Sequence, residues 1–400
     1  MKAFNITLAS LMSTVLIGTS QVSHAAPSLE KMWETLQQQQ KQIEQLSKEN
    51  KRLTEQLEVS MEMKQQASET KQSAYASKGD TSIGGYGELH YNSFKDQDNK
   101  LDFHRFVLFF SHEFTDKLRF VSELELEHSI AGEGQTGEIE LEQAYVEMDF
   151  NNKHSAKAGV FLLPVGIINE THEPDTFYGV ERNPVEKDII PATWWEGGVA
   201  FNGQLGNGFS YDVAYTSGLA TPTTGSNAYK VRSGRQKVGN AVANDGAITG
   251  RVKWTGMPGL ELAATAHYES DLTQGQGVAG TESSATLFET HAVYQKGPFG
   301  LRALYARWDL DGAAAKSVGR DEQVGWYIEP SFRISPQWGV FARYNEWDNN
   351  AGDTAATEKK QTDVGVNYWP HENVVLKLDV QRQSGAANTD GFNLGLGYQF

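Results

Sequence analysis

The sequence predicts an all-β transmembrane barrel of about 16 antiparallel strands, preceded by an α-helical coiled-coil stem. Three observations predict it. From Thr81 onward, apolar and polar residues alternate with a period of two over segments of about ten residues. The chain ends on "GFNLGLGYQF", where Phe392, Leu394, Leu396, Tyr398 and Phe400 share one face. Ahead of the strands, residues 28–64 carry a seven-residue apolar period instead.

At the start, Met1 and Lys2 precede the apolar run "FNITLASLMSTVLIG" and the small residues Ser23 and Ala25. This pattern predicts a secretory signal over residues 1–25, cut after Ala25. The run is too short for a membrane anchor and no basic flank follows it. The chain has no cysteine, which removes disulfides and thiol chemistry. Its mean hydropathy is negative. Barrel strands escape a hydropathy scan because their apolar residues alternate with polar ones.

In the stem, heptad position a falls on Leu29, Leu36, Ile43, Asn50 and Leu57, and position d on Met32, Gln39, Leu46, Leu53 and Ser60. This two-in-seven seam is narrower than the stripe of a helix packed on its own domain, so it predicts a coiled coil between copies. Asn50 at an a position sets register at a cost in stability. Residues 65–80 lose the heptad and read as a linker to the barrel domain, residues 81–400.

Strands are expected at 82–94, 101–112, 117–128, 138–150, 155–163, 195–204, 209–218, 247–255, 260–269, 285–295, 299–309, 322–333, 338–347, 361–369, 373–382 and 391–400. A soluble sandwich would use strands of about five or six residues. Here each strand with its connection takes nearer twenty residues, and the polar faces carry several charges each. In 138–150 the phase slips, with Ile139 and Leu141 on one face by count and Ala144, Val146, Met148 and Phe150 on the other, which predicts a bulge near Glu142.

One segment interrupts the strands. Residues 164–194 contain Pro164, Pro174, Pro184 and Pro191, with no helical or strand period. Long ordered loops are uncommon and usually functional. The surrounding "GVFLLPVGIINETHEPDTFYGVERNPVEKDIIPATWWEGG" resembles the corresponding region of porins related to the phosphate-selective family. The opening strand "GYGELHYN" and the terminal Phe400, an expected assembly signal, resemble the same group. An N-terminal coiled coil on such a barrel also resembles certain sugar porins. The resemblance implies a homotrimer in outer-membrane lipid, sixteen strands per subunit, and an inward loop that constricts a pore for small hydrophilic solutes or ions. In that family, arginines and lysines lining the pore carry phosphate selectivity.

The expected constriction residues are Glu170, His172, Glu173, Asp175, Glu181, Arg182, Lys187 and Asp188. The expected pore wall includes Arg119, Glu123, Glu125, Arg251, Lys253, Arg333, Arg343 and Lys377. Further acids on the same faces, among them Glu329, Asp363 and Asp379, tip the count negative. Wall charge sets ion selectivity, so the count predicts a cation-tolerant or weakly selective pore, unless the acids pair with their neighbours.

Other chemistry finds little support. "GQGVAG" at Gly275–Gly280 lies between strands with no helix after it, so a dinucleotide site fails on context. "ETHE" at Glu170–Glu173 offers His172 to a metal, but tight sites need three or four converging ligands and the spacing shows none. No metal, cofactor or catalytic group is expected. Trp194 and Trp195 read as loop packing or an interface girdle. A net charge of −16 argues against nucleic acid. A structural rival remains, in which the stem tethers the outer membrane to the cell wall and the barrel is only its anchor. An enzyme is the third reading, disfavoured because no nucleophile–base pair can be picked out.

Overall fold

The computed structural model describes residues 37, 38, 40, 41 and 81–400. Gln37, Gln38, Gln40 and Lys41 are helical. The rest of the coiled coil expected at 28–64, together with the signal and the linker, lies outside the described residues.

Sixteen strands follow: β1 (Thr81–Phe94), β2 (Lys100–Thr115), β3 (Leu118–Glu127), β4 (Ile139–Asn151), β5 (His154–Leu162), β6 (Trp195–Gly206), β7 (Phe209–Thr216), β8 (Ala247–Met257), β9 (Leu260–Glu269), β10 (Ala285–Lys296), β11 (Phe299–Leu310), β12 (Glu322–Arg333), β13 (Trp338–Asp348), β14 (Lys359–His371), β15 (Val374–Gly385) and β16 (Gly391–Gln399). Each pairs with its neighbours in sequence, and β1 pairs antiparallel with β16 to close the barrel. Closure leaves no unpaired edge, which a membrane-spanning sheet requires.

Alternation sorts the side chains. Val213, Ile248, Val252, Phe288, Val364 and Leu378 are exposed on the outer face, while Thr249, Arg251, Glu289, Asp363 and Asp379 are buried on the inner one. The predicted bulge is present. Glu123 pairs with Gln143 and Leu124 with Leu141, leaving Glu142 as the extra residue. That one insertion returns Ile139, Leu141, Val146 and Met148 to the outer face on both sides of it.

At the seam, the Phe400 amide donates to the Gly85 carbonyl at 2.9 Å, and the Gly85 amide donates back to the Phe400 carbonyl at 3.0 Å. A Cβ on Gly85 would sit 2.3 Å from the Val107 carbonyl oxygen, so this position requires glycine for the approach of β2.

Connections at one end are tight. Asn207 and Gly208, between β6 and β7, both have positive φ, 53° and 81°, as a two-residue hairpin turn with the strands' own twist demands. At the other end, residues 163–194 and 217–246 form long connections. Both pack inward. Val165, Val185, Ile189, Ile190 and Trp194 form one apolar core with Leu219, Tyr229 and Val231 of the second loop and with Leu287, Leu304 and Trp308 of the wall. The barrel's apolar core is therefore a plug inside the lumen, built by loops that carry no strand period. Trp194 packs within it, its ring 6.0 Å from that of Trp308.

Candidate functional site: the inward loop and the cleft beside it

Side chains from many sides of the barrel hold residues 164–194. Arg251 of β8 donates to Glu170 at 2.5 Å. His90 of β1 meets Glu181 at 3.0 Å. Arg302 of β11 donates to the Thr176 carbonyl at 2.7 Å. Lys377 of β15 donates to the carbonyls of Phe177 and Gly179 at 2.9 and 2.8 Å. Asp379, on the same strand, accepts from the Val180 amide at 2.7 Å. Gln399 of β16 donates to Asp175 at 2.6 Å. Only a segment lying across the lumen can touch β1, β8, β11, β15 and β16 at once.

Within the loop, Glu186 fixes the chain path. Its Oε2 accepts from the amides of Ile167 and Ile168 at 2.8 and 2.7 Å, and its Oε1 from the Tyr327 hydroxyl at 2.7 Å. Burial pushes this carboxyl above its ordinary range, against the pull of those donors. His172 lies between two wall carboxyls, Nε2 being 3.3 Å from both Glu123 and Glu142. Burial works against a charge there, and the two carboxyls override it, raising the imidazole to about 10.

Beside the loop an open cleft remains against β1–β4. The wall contributes Glu88, Arg105, Glu127, Glu140 and Glu142, the inward loop Glu181, Arg182, Lys187 and Thr193, and the second loop Arg232, Arg235 and Lys237. Of the residues expected at the constriction, Glu181, Arg182 and Lys187 border this cleft, whereas Glu170, His172, Glu173, Asp175 and Asp188 do not. Glu170, His172 and Asp175 are anchoring contacts instead.

The eight residues expected on the pore wall all make contacts within the protein. Arg251, Arg343, Lys377, Glu123 and Glu125 are inward but buried, not solvent-lining. Arg343 is clamped between Glu329 at 3.2 Å and Asp363 at 3.0 Å. Arg119 is paired with Glu147 and Asp149 at 2.9 and 2.7 Å. Lys253 lies 3.5 Å from Glu261. Arg333 stacks on Trp369, 3.5 Å from the ring centre. Counting charges by face overstated the negative charge available to solutes. Glu329, Asp363, Asp379 and Glu170 are all engaged within the protein.

The cleft's cations are paired differently. Arg182 donates to the Thr193 hydroxyl at 2.7 Å, Arg235 to the Thr193 carbonyl at 2.6 Å, and Arg232 to the carbonyls of Lys187 and, at 2.9 Å, Ala192. These acceptors are neutral. Among the described residues, no carboxylate forms an ion pair with any of the three, and Arg182 Nε and Nη2 and Arg235 Nε are buried without a hydrogen-bond partner. Burial, and after it the Arg235 charge, holds Arg232 down to about 9. Burial and then Arg105 lower Arg182. Lys237, by contrast, pairs with Glu138 at 2.8 Å and with Glu140.

Sequence reasoning missed Arg105, Arg232 and Arg235. Extending the alternation of β2 would have turned Arg105 inward. The segment "KVRSGRQK", Lys230–Lys237, concentrates four cations in an otherwise acidic chain, and that local charge excess was the available signal. Among the described residues, three groups bring metal-ligating atoms together: Asp102, His104 and His128; Glu123, Glu142 and His172; and Glu127, Glu138 and Glu140.

Comparison with known proteins gives a consistent picture. The family model for phosphate-selective porin O and P matches residues 83–400. An uncharacterized protein of Aquifex aeolicus is 30% identical, with 77% of each chain covered. Among solved structures, the outer-membrane channel DcaP of Acinetobacter baumannii superposes with a TM-score of 0.55 at 13% identity, covering 81% of this chain and 98% of that one. OmpT of Vibrio cholerae, in a trimer form, gives 0.55 at 12%, covering 81% and 100%. At such identities the two structures speak for the fold alone.

Proposed function

Since the chain belongs to the phosphate-selective porin O and P family, and is thus an outer-membrane porin for passive diffusion of small hydrophilic solutes or ions, we propose that the cleft beside residues 164–194 is its conduction path and that this path favours small anions. The observation that carries this reading is the trio Arg182, Arg232 and Arg235. They border the cleft, carry guanidinium groups, which stay protonated in proteins, and among the described residues form no ion pair with a carboxylate. In a narrow, low-dielectric passage, fixed charges of one sign concentrate the opposite ion. The acids that suggested cation preference mostly hold the wall and loop together.

The same reading makes the assembly a homotrimer, supported by the trimer form in which OmpT was solved. It assigns residues 28–64 to the periplasm. Passage is diffusive, and no residue carries out a catalytic step.

Reversal potentials of single channels across a dilute KCl gradient test the selectivity. Wild-type protein should show chloride preference, and the triple change of Arg182, Arg232 and Arg235 to Gln should move the potential toward cations. A cation-preferring wild type, unmoved by the triple change, would overturn the reading.

A further inference from the structure

The group formed by Glu123, Glu142 and His172 has features that an internal ion pair does not require. Glu123 comes from β3, Glu142 is the bulged residue of β4, and His172 descends from the inward loop. All three are buried. One atom of each, Glu123 Oε1, Glu142 Oε2 and His172 Nε2, lies within 4.8 Å of the other two. These same three atoms have no hydrogen-bond partner. A charge-assisted bond from an imidazolium to a carboxylate would be about 2.7–2.9 Å long. Here Nε2 stands 3.3 Å from each oxygen. Two ligands of a tetrahedral ion with bonds of about 2.0–2.1 Å lie roughly 3.3 Å apart.

The outer contacts aim these atoms. His172 Nδ1 faces the Asn169 carbonyl oxygen at 3.2 Å, and a carbonyl only accepts, so Nδ1 carries the hydrogen and Nε2 is the nitrogen presented to the carboxyls. Gln143 donates to Glu123 Oε2 at 2.8 Å, leaving Oε1 turned toward His172. Such partners on the far side of each ligand are what metal sites use to fix ligand orientation. The bulge places Glu142 and Gln143 consecutively on the inner side, so one inserted residue supplies both a ligand and its neighbour's support. Glu142 also borders the open cleft, so the site lies at the cleft's edge.

We propose that Glu123, Glu142 and His172 bind one divalent transition-metal ion of the zinc class, with water as the fourth ligand, and that this ion fastens the inward loop to the wall of β3 and β4. The donor set of one imidazole and two carboxylates suits zinc or cobalt. The ion's two positive charges neutralise the two carboxylates, and His172 then serves as a neutral ligand. The metal is structural. It needs no redox partner and takes no part in transport beyond setting the loop's position.

The test uses the full chain, folded and purified in detergent, loaded with Zn²⁺ or Co²⁺ and freed of excess by gel filtration. Metal is counted per chain by mass spectrometry, and the cobalt form is read by its visible absorption. We expect about one ion per chain and the strong visible bands of tetrahedral cobalt. Glu142→Gln should lower affinity at least ten-fold. Gln143→Ala, which removes support and no ligand, should lower it about ten- to a hundred-fold with the barrel still heat-modifiable. His128→Ala, which disrupts a different group, should leave binding unchanged. No retained metal in wild-type protein overturns the proposal. So does metal that survives Glu142→Gln, or that is lost with His128→Ala. If His172→Gln fails to fold, Glu142→Gln and Gln143→Ala still decide the matter.

Discussion

Arg182 shows how far one side chain acts on a permeating ion. A unit charge about 5 Å away, at an effective dielectric constant of about 40–60, changes an ion's energy by on the order of 1 kcal/mol, roughly five-fold in local concentration. Arg182→Gln alone should therefore lower anion preference by about that factor in dilute salt, where screening is weak. Glu186 acts on the loop itself. Glu186→Ala would leave the amides of Ile167 and Ile168 and the Tyr327 hydroxyl without their acceptor. Orphaned buried donors cost about 1–3 kcal/mol each, so the loop should become protease-sensitive and the current noisy while the barrel remains heat-modifiable. Acid should act on the loop through Glu181. Burial works against ionising this carboxyl, yet the His90 hydrogen bond and charge, with Lys187, hold it well below the ordinary range. A carboxyl depressed by folding contributes stability above its unfolded value of about 4.3, and loses it as pH falls further. Channel current should be steady above that value and fluctuate below it. Equal noise at pH 7 and pH 3 would mean that Glu181 does not hold the loop.

At the scale of the elements, the strands were legible because alternation is a property of the backbone. Sixteen segments, their closure and the bulge at Glu142 follow from a period of two and one slip in it. What each inward charge does was not legible, because partners lie across the barrel. Lys377 bonds carbonyls 198 and 200 residues away in sequence. Arg343 joins carboxylates from both flanking strands, a contact that needs the register. The loops at 163–194 and 217–246 have no period at all, and their apolar residues make sense only once both are seen to share a core. The terminal strand was legible to its last residue. Phe400 pairs with Gly85 and closes the seam, so its deletion should reduce the amount of folded barrel in the outer membrane more than deletion of any loop tip. Normal yields of heat-modifiable protein would contradict this.

For the whole molecule, the closed barrel accounts for membrane insertion without help from the N-terminal segment, since every strand finds both neighbours within residues 81–400. Removing residues 28–64 should leave a barrel that still inserts, and its absence from membranes would assign the stem a role in folding. On the proposed reading, the inward loop and the basic cleft beside it form the conduction path. The absence of cysteine makes one measurement decisive. Lys187 is exposed and borders the cleft, so Lys187→Cys puts a single thiol on the proposed path. Single channels should be recorded while a negatively charged, thiol-reactive sulfonate is added, and labelling should be checked by mass. Current and anion preference should fall stepwise as each subunit reacts. Complete labelling with conductance and reversal potential unchanged would place the loop outside the pore and contradict that reading.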